Sequence, residues 1–156
     1  QAVLGRQNLY STPWLTGRHG HGPALGWRPA APSGAAGLLL ANGCADPFSP
    51  KTVRATMGAA FRLPVWELEL DAAAERLAAA GIPLYATALR EDTVDVREVD
   101  LSAAAVVIGS EGRGVSPRAL ALCRQTVKIP MLERCESLNA AVAAAVVLWE
   151  MGRERL

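Results

Sequence analysis

Residues 103–131, AAAVVIGSEGRGVSPRALALCRQTVKIPM, decide the fold. The apolar run Ala103–Ile108 has the length and β-branched content of a buried strand, and Gly109 bounds it. A glycine-rich turn follows, then a short helix predicted over Arg118–Cys123. A second short strand is predicted over Val127–Ile129, stopped by Pro130. Strand, turn, helix and strand in that order make a parallel α/β unit.

The same alternation continues upstream. Leu38–Ala41 reads as a short buried strand ended by Asn42-Gly43, and Asp46–Pro50 as a turn. Ser49 is a predicted N-cap, with Pro50 at the first position of a helix reaching about Phe61. Pro64 ends that helix, and Val65–Leu70 alternates as a strand. Asp71 is predicted to cap a helix over Ala72–Ala80, closed by Gly81, and Leu84–Leu89 is the next strand. Downstream, Ser137 is predicted to cap a final helix from Leu138 to about Arg153. The expected class is α/β, a mostly parallel sheet with helices on both faces. Ligands of such sheets bind beyond the carboxyl ends of the strands, where the loops after Ile108 and Ile129 lie.

Residues 1–36 break the pattern. They are crowded with Gly and Pro, hold Trp14 and Trp27, and show neither a 2.0 nor a 3.6 period, so a loop or tail is expected. The chain thus divides near residue 37. Residues 1–37 form a Gly/Pro-rich N-terminal segment, and residues 38–156 the regular domain.

Composition excludes several classes. The 156 residues are 51% hydrophobic and 20% charged, the balance of a globular domain. No apolar stretch is long enough to span a bilayer, and Gln1–Tyr10 lacks the order of a secretory signal. A net charge of +1 is too small to hold nucleic acid by charge alone, so any RNA contact needs a local basic face, a partner subunit or a domain outside this chain. Three dispersed cysteines, Cys44, Cys123 and Cys135, read as reduced thiols of a cytoplasmic protein.

Two constellations could carry chemistry. The first is the turn Gly109–Gly114, whose glycines permit positive φ and close approach to a ligand. Its G-x-x-G-x-G spacing is neither a dinucleotide fingerprint nor a Walker loop, and a plain tight turn is the commoner reading. Glu111 inside it has little packing role. The second is Ile129-Pro130-Met131 with Glu136-Ser137-Leu138-Asn139. A simple cap by Ser137 accounts for part of it but leaves Asn139, a poor helix former, in the first turn of an Ala/Val-rich helix. That helix carries Leu138, Val142, Ala145, Val146 and Trp149 on one face, suited equally to a core or to a dimer interface. His19 and His21 lack metal-ligand neighbours, no metal is expected, and no histidine base stands near Cys135 in sequence.

Three blocks together resemble the SpoU/TrmH branch of the SPOUT RNA methyltransferases. They are CADPFSPKTVRATMGAAFRLP (44–64), VIGSEGRG (107–114), and KIPM (128–131) with ESLN (136–139). The likeness covers roughly residues 38–152. It implies a C-terminal deep trefoil knot, an exception to unknotted topology. It also implies S-adenosylmethionine as cofactor, bound by backbone groups near Thr87, Gly109, Gly114, Ile129, Met131 and Leu138. The implied reaction is methyl transfer to a ribose 2′-hydroxyl, of rRNA before tRNA, by a homodimer. Glu111, Ser137 and Asn139 match motif positions near the target ribose. The ESLN block looks like the ribose branch rather than the base-methylating one.

The family also carries an N-terminal Asn-x-Gly-x-x-x-Arg motif, whose arginine contacts RNA phosphate and assists proton removal. Arg28 stands at the expected distance before Leu38, but Gly22 and Ala24 occupy the asparagine and glycine places, and Pro29 and Pro32 would strain the following helix. The alternative start at Asn8 puts Tyr10 and Trp14 in the motif. Residues 1–37 therefore read as a diverged first motif, with Arg28 its catalytic candidate. A non-catalytic S-adenosylmethionine- or RNA-binding module of the same fold is the second reading.

Overall fold

A computed structural model of the chain describes residues 2–5, 37–41, 46, 48–50, 53, 61, 64–109, 113–132 and 138–153. Among them, seven strands form one sheet: β1 (Ala2–Gly5), β2 (Gly37–Leu40), β3 (Val65–Glu67), β4 (Leu84–Thr87), β5 (Val94–Asp95), β6 (Ala105–Ile108) and β7 (Gln125–Lys128). Three helices accompany them, α1 (Leu70–Ala79), α2 (Pro117–Leu122) and α3 (Ala140–Gly152), with a 3-10 turn at Val96–Glu98. The spatial order is β3-β2-β1-β6-β4-β7-β5. The pairs β2–β3, β4–β6, β4–β7 and β5–β7 are parallel, whereas β1 runs antiparallel to both β2 and β6. Six strands therefore share one direction and β1 opposes them.

Side-chain alternation divides the core between the two faces of the sheet. Leu84, Ala86, Ala105 and Val107 join Leu70, Ala73 and Leu77 of α1 and Ala119 of α2. Tyr85, Val106 and Ile108 join Val96 of the 3-10 turn and Val147 and Met151 of α3. Both faces are covered, as the continuous apolar strands require. No helix among the described residues is long and apolar enough to cross a membrane.

Local chemistry sets the helix ends. Gly81, at φ +70°, closes α1, and the Ile82 amide donates back to the Leu77 carbonyl at 2.9 Å. Ser116 caps α2 by accepting from the Ala119 amide at 3.2 Å, with Pro117 at the first helical position.

Several expectations shift. Ala2–Gly5, expected as loop, is a strand within the sheet; four residues are too few to show a period. The strand at Val65 ends at Glu67, because Leu70 belongs to α1, where Leu70, Ala73 and Leu77 line one buried face. Asp71 is not the cap of that helix. It lies in the first turn and pairs with Arg118 of α2, an exposed ion pair whose guanidinium holds its carboxyl below the usual range. Of the helix expected from Pro50, Pro50 and Val53 are helical, the Val53 amide donating to the Ser49 carbonyl at 2.9 Å. Residues 54–60 lie outside the described residues.

Candidate functional site

Three neighbouring parallel strands, β6, β4 and β7, end at the same edge of the sheet, and a cavity of about 260 Å³ opens beyond them. Thr87 closes β4, Ile108 leads into Gly109 after β6, and Lys128 leads into Ile129 after β7. The start of α3 supplies the remaining wall through Leu138, Ala140 and Ala143. All six residues expected on the cofactor side, Thr87, Gly109, Gly114, Ile129, Met131 and Leu138, line this one cavity.

The glycine turn shows why its composition is restrictive. A Cβ on Gly109 would stand 2.2 Å from the carbonyl carbon of Gly114, so the two ends of the turn touch backbone to backbone. Gly114 adopts φ +64°, a left-handed conformation that side-chain-bearing residues rarely take. Gly109 and Gly114 thus bring main chain, rather than side chain, to the cavity wall. Thr87 ties the floor together, its hydroxyl donating to the Val107 carbonyl of β6 at 3.3 Å.

The wall is apolar except for Thr87, Lys128 and main-chain groups, and Lys128 is its one charged side chain among the described residues. Beside it on β5, Asp95 is held at about 2, mainly by the hydrogen bond from Arg97 and further by the Lys128 charge. Cys123 lies elsewhere, at the start of the turn into β7, and burial pushes its thiol up to about 11, which suits an inert side chain. No cluster of three potential metal ligands occurs among the described residues.

The ribose-side candidates are less gathered. Arg28, Glu111 and Ser137 lie outside the described residues. Asn139 is described, and its position changes its meaning. Because α3 begins at Ala140, Asn139 is a capping residue, its side-chain oxygen accepting from the Val142 amide at 3.3 Å. The poor helix former that looked misplaced is a cap. Asn139 does not line the cavity, although Leu138 and Ala140 on either side of it do.

Sequence reasoning passed over Ala88, Leu89, Lys128 and Ala143 as wall residues. Lys128 directly precedes Ile129 and could have been found from the strand end. Leu89 and Ala143 carry no local signal, since only the fold brings them to this edge.

The face of α3 read from sequence as core or interface also resolves. Val147 and Met151 point into the core, whereas Val142, Val146 and Trp149 are exposed by 48%, 37% and 58%. The stripe holding Trp149 is the outer one.

Residues 27–149 match the sequence model of the SpoU rRNA Methylase family. The chain belongs to this family. Among its relatives, the 23S rRNA (guanosine(2553)-2'-O)-methyltransferase of Bacillus subtilis is 34% identical over 125 residues, 80% of this chain and 50% of that protein. The tRNA (guanosine(18)-2'-O)-methyltransferase of Thermus thermophilus is 56% identical over 77 residues, 49% of this chain and 40% of that protein. An AdoMet-bound rRNA methyltransferase structure from Sinorhizobium meliloti superposes with a TM-score of 0.74 at 33% identity, covering 83% of this chain and 50% of that one. The chain spans about half the length of these relatives. The family match begins at Trp27 and so includes Arg28.

Proposed function

We propose that this chain is the catalytic domain of an S-adenosylmethionine-dependent RNA methyltransferase that modifies a ribose 2′-hydroxyl of rRNA or tRNA. The observation that carries the reading is the convergence of Thr87, Gly109, Gly114, Ile129, Met131 and Leu138 on one cavity at the carboxyl edge of the sheet. Support comes from the relatives, which are named for 2′-O-methylation of 23S rRNA and tRNA, and from the AdoMet held by the Sinorhizobium protein.

The residues present suit the cofactor. An apolar wall accepts an adenine ring, and the Gly109–Gly114 contact leaves no room for a side chain where main-chain groups must approach a ligand. Ile129, Met131 and Leu138 would hold the adenosine portion. S-adenosylmethionine supplies a methyl group on a sulfonium, already a good leaving group. The protein's task is then to align the hydroxyl and relieve it of its proton. Arg28 is assigned to RNA phosphate and to easing proton removal, and Glu111, Ser137 and Asn139 to positioning the ribose. For Asn139 this is a role besides its cap.

The same reading includes a trefoil knot at the C-terminal part of the fold. Its support is the course of the chain around β7: β4 pairs with one side of that strand and β5 with the other, both at Val127. It includes a homodimer joined through the outer stripe of α3, an apolar surface for which a second copy is the simplest cover. The dispersed cysteines fit a reducing cytoplasmic setting.

The test is incubation of the protein with isotopically labelled methyl donor and purified rRNA and tRNA, followed by mapping of ribose methylation. Transfer to a 2′-hydroxyl, lost in Arg28→Ala, is expected. A folded protein that binds the donor yet transfers nothing refutes the assignment.

A further inference from the structure

Thr93 and Thr126 are the buried polar residues among those described, exposed by 8% and 7%. Their hydroxyl oxygens lie 2.8 Å apart, joining the end of the segment after β4 to the middle of β7. Valine has nearly the same shape and would fill either site, so packing alone does not call for two hydroxyls.

The surrounding bonds show what the pair fastens. The Thr93 hydroxyl also accepts from the Arg90 amide at 3.1 Å, and the Thr93 amide donates to the Arg90 carbonyl at 3.3 Å, which closes residues 90–93 into a turn. At the other end of the segment, the Ala88 amide donates to the Val127 carbonyl at 3.1 Å. Residues 88–93 are thus anchored to β7 at two successive positions, Thr126 and Val127. Between the anchors lies Leu89, which lines the cavity although 60% of it is exposed. An apolar side chain with so little packing of its own depends on its backbone being held in place.

We propose that the Thr93–Thr126 hydroxyl pair is a positioning latch that keeps Ala88 and Leu89 in the wall of the methyl-donor pocket. Neither threonine touches the donor; both act through the segment they fasten. The inference rests on the reading of this cavity as the S-adenosylmethionine site. A paired hydroxyl in a buried site polarises its neighbours, and losing one partner leaves the other unsatisfied.

The test is calorimetric titration of S-adenosylmethionine into the wild-type protein, Thr126→Val, Thr126→Ser and the double variant Thr93→Val/Thr126→Val. The double variant removes both hydroxyls of the pair and with them the acceptor of the Arg90 amide, so urea unfolding of each variant, read beside its donor affinity, separates positioning from stability. Expected are wild-type affinity in Thr126→Ser and a donor affinity weakened about fivefold in Thr126→Val and in the double variant. In transfer assays KM for the donor rises and kcat at saturation is unchanged. Wild-type affinity in the double variant overturns the latch while leaving the pocket assignment intact. Failure of the wild-type protein to bind the donor removes the pocket assignment itself, and the latch with it.

Discussion

Two sides of one apolar helix can be compared. At the start of α3, Leu138, Ala140 and Ala143 border a cavity; along its outer side, Val142, Val146 and Trp149 form an open stripe. Both are apolar, but the first is concave, built from small side chains and shared with three strand ends. The second is shallow and open, and carries a large indole. Apolar character alone assigns neither. Concavity with converging main-chain groups suits a small ligand, and an open stripe of large side chains suits another protein surface.

Substitutions on α3 can break that contrast. Met151 points inward and is 2% exposed, so Met151→Ala is expected to cost about 2–5 kcal/mol in urea unfolding. Trp149→Ala, measured at a concentration where the protein is monomeric, is expected to stay within about 0.5 kcal/mol. Equal losses would mean that the stripe is core after all. Next in size is Gly109→Ala, where the added carbon must displace the Gly114 main chain, a strain of about 1–3 kcal/mol. Donor affinity measured by calorimetry should fall about tenfold or more; an unchanged value would detach the glycine turn from the pocket.

Val146→Asp sharpens the other side of the comparison. A charge placed in the apolar stripe should weaken self-association about tenfold by sedimentation velocity, a cost of about 1.4 kcal/mol. Far-ultraviolet circular dichroism should not change. A variant that associates like the wild type places the interface elsewhere.

The smallest effect concerns pH. Asp95 is held at about 2 by Arg97, against an ordinary value of 3.8. A depressed carboxyl contributes stability that is present above the ordinary value and lost as pH falls through about 2. The gap in urea midpoint between wild type and Asp95→Asn should therefore be constant above about pH 4 and close below it. A gap that persists in strong acid would show that the carboxylate charge is not its source.

Much of the fold was legible because most of the buried parallel strands are rich in Val, Ile, Leu and Ala, and glycine or proline bounds several of them. Ala105–Ile108 was visible for that reason, whereas Gln125–Lys128 was marked only by Val127, Ile129 and the following Pro130, and both have ends shifted by one or two residues. Val65–Leu70 was overextended because Leu68 and Leu70 continue an alternation by chance, and helical spacing to Ala73 and Leu77 overrides it. Ala2–Gly5 was missed because its pairing with β2 and β6 is entirely non-local. At the site, strand ends and glycines mark the six positions expected on the cofactor side, and the fold brings all six to one cavity. Asn139 was misread because the helix boundary lay two residues further on than expected, which turned an anomaly into a cap. Arg28, Glu111 and Ser137 lie outside the described residues.

Ile108 and Val127 belong at once to the cavity wall and to the interior cluster that holds α3 against the sheet. Reshaping the cavity through either one would loosen the protein's own packing. A shift in ligand preference therefore has room only among rim residues such as Leu89 and Met131, and the floor is fixed by the demands of folding.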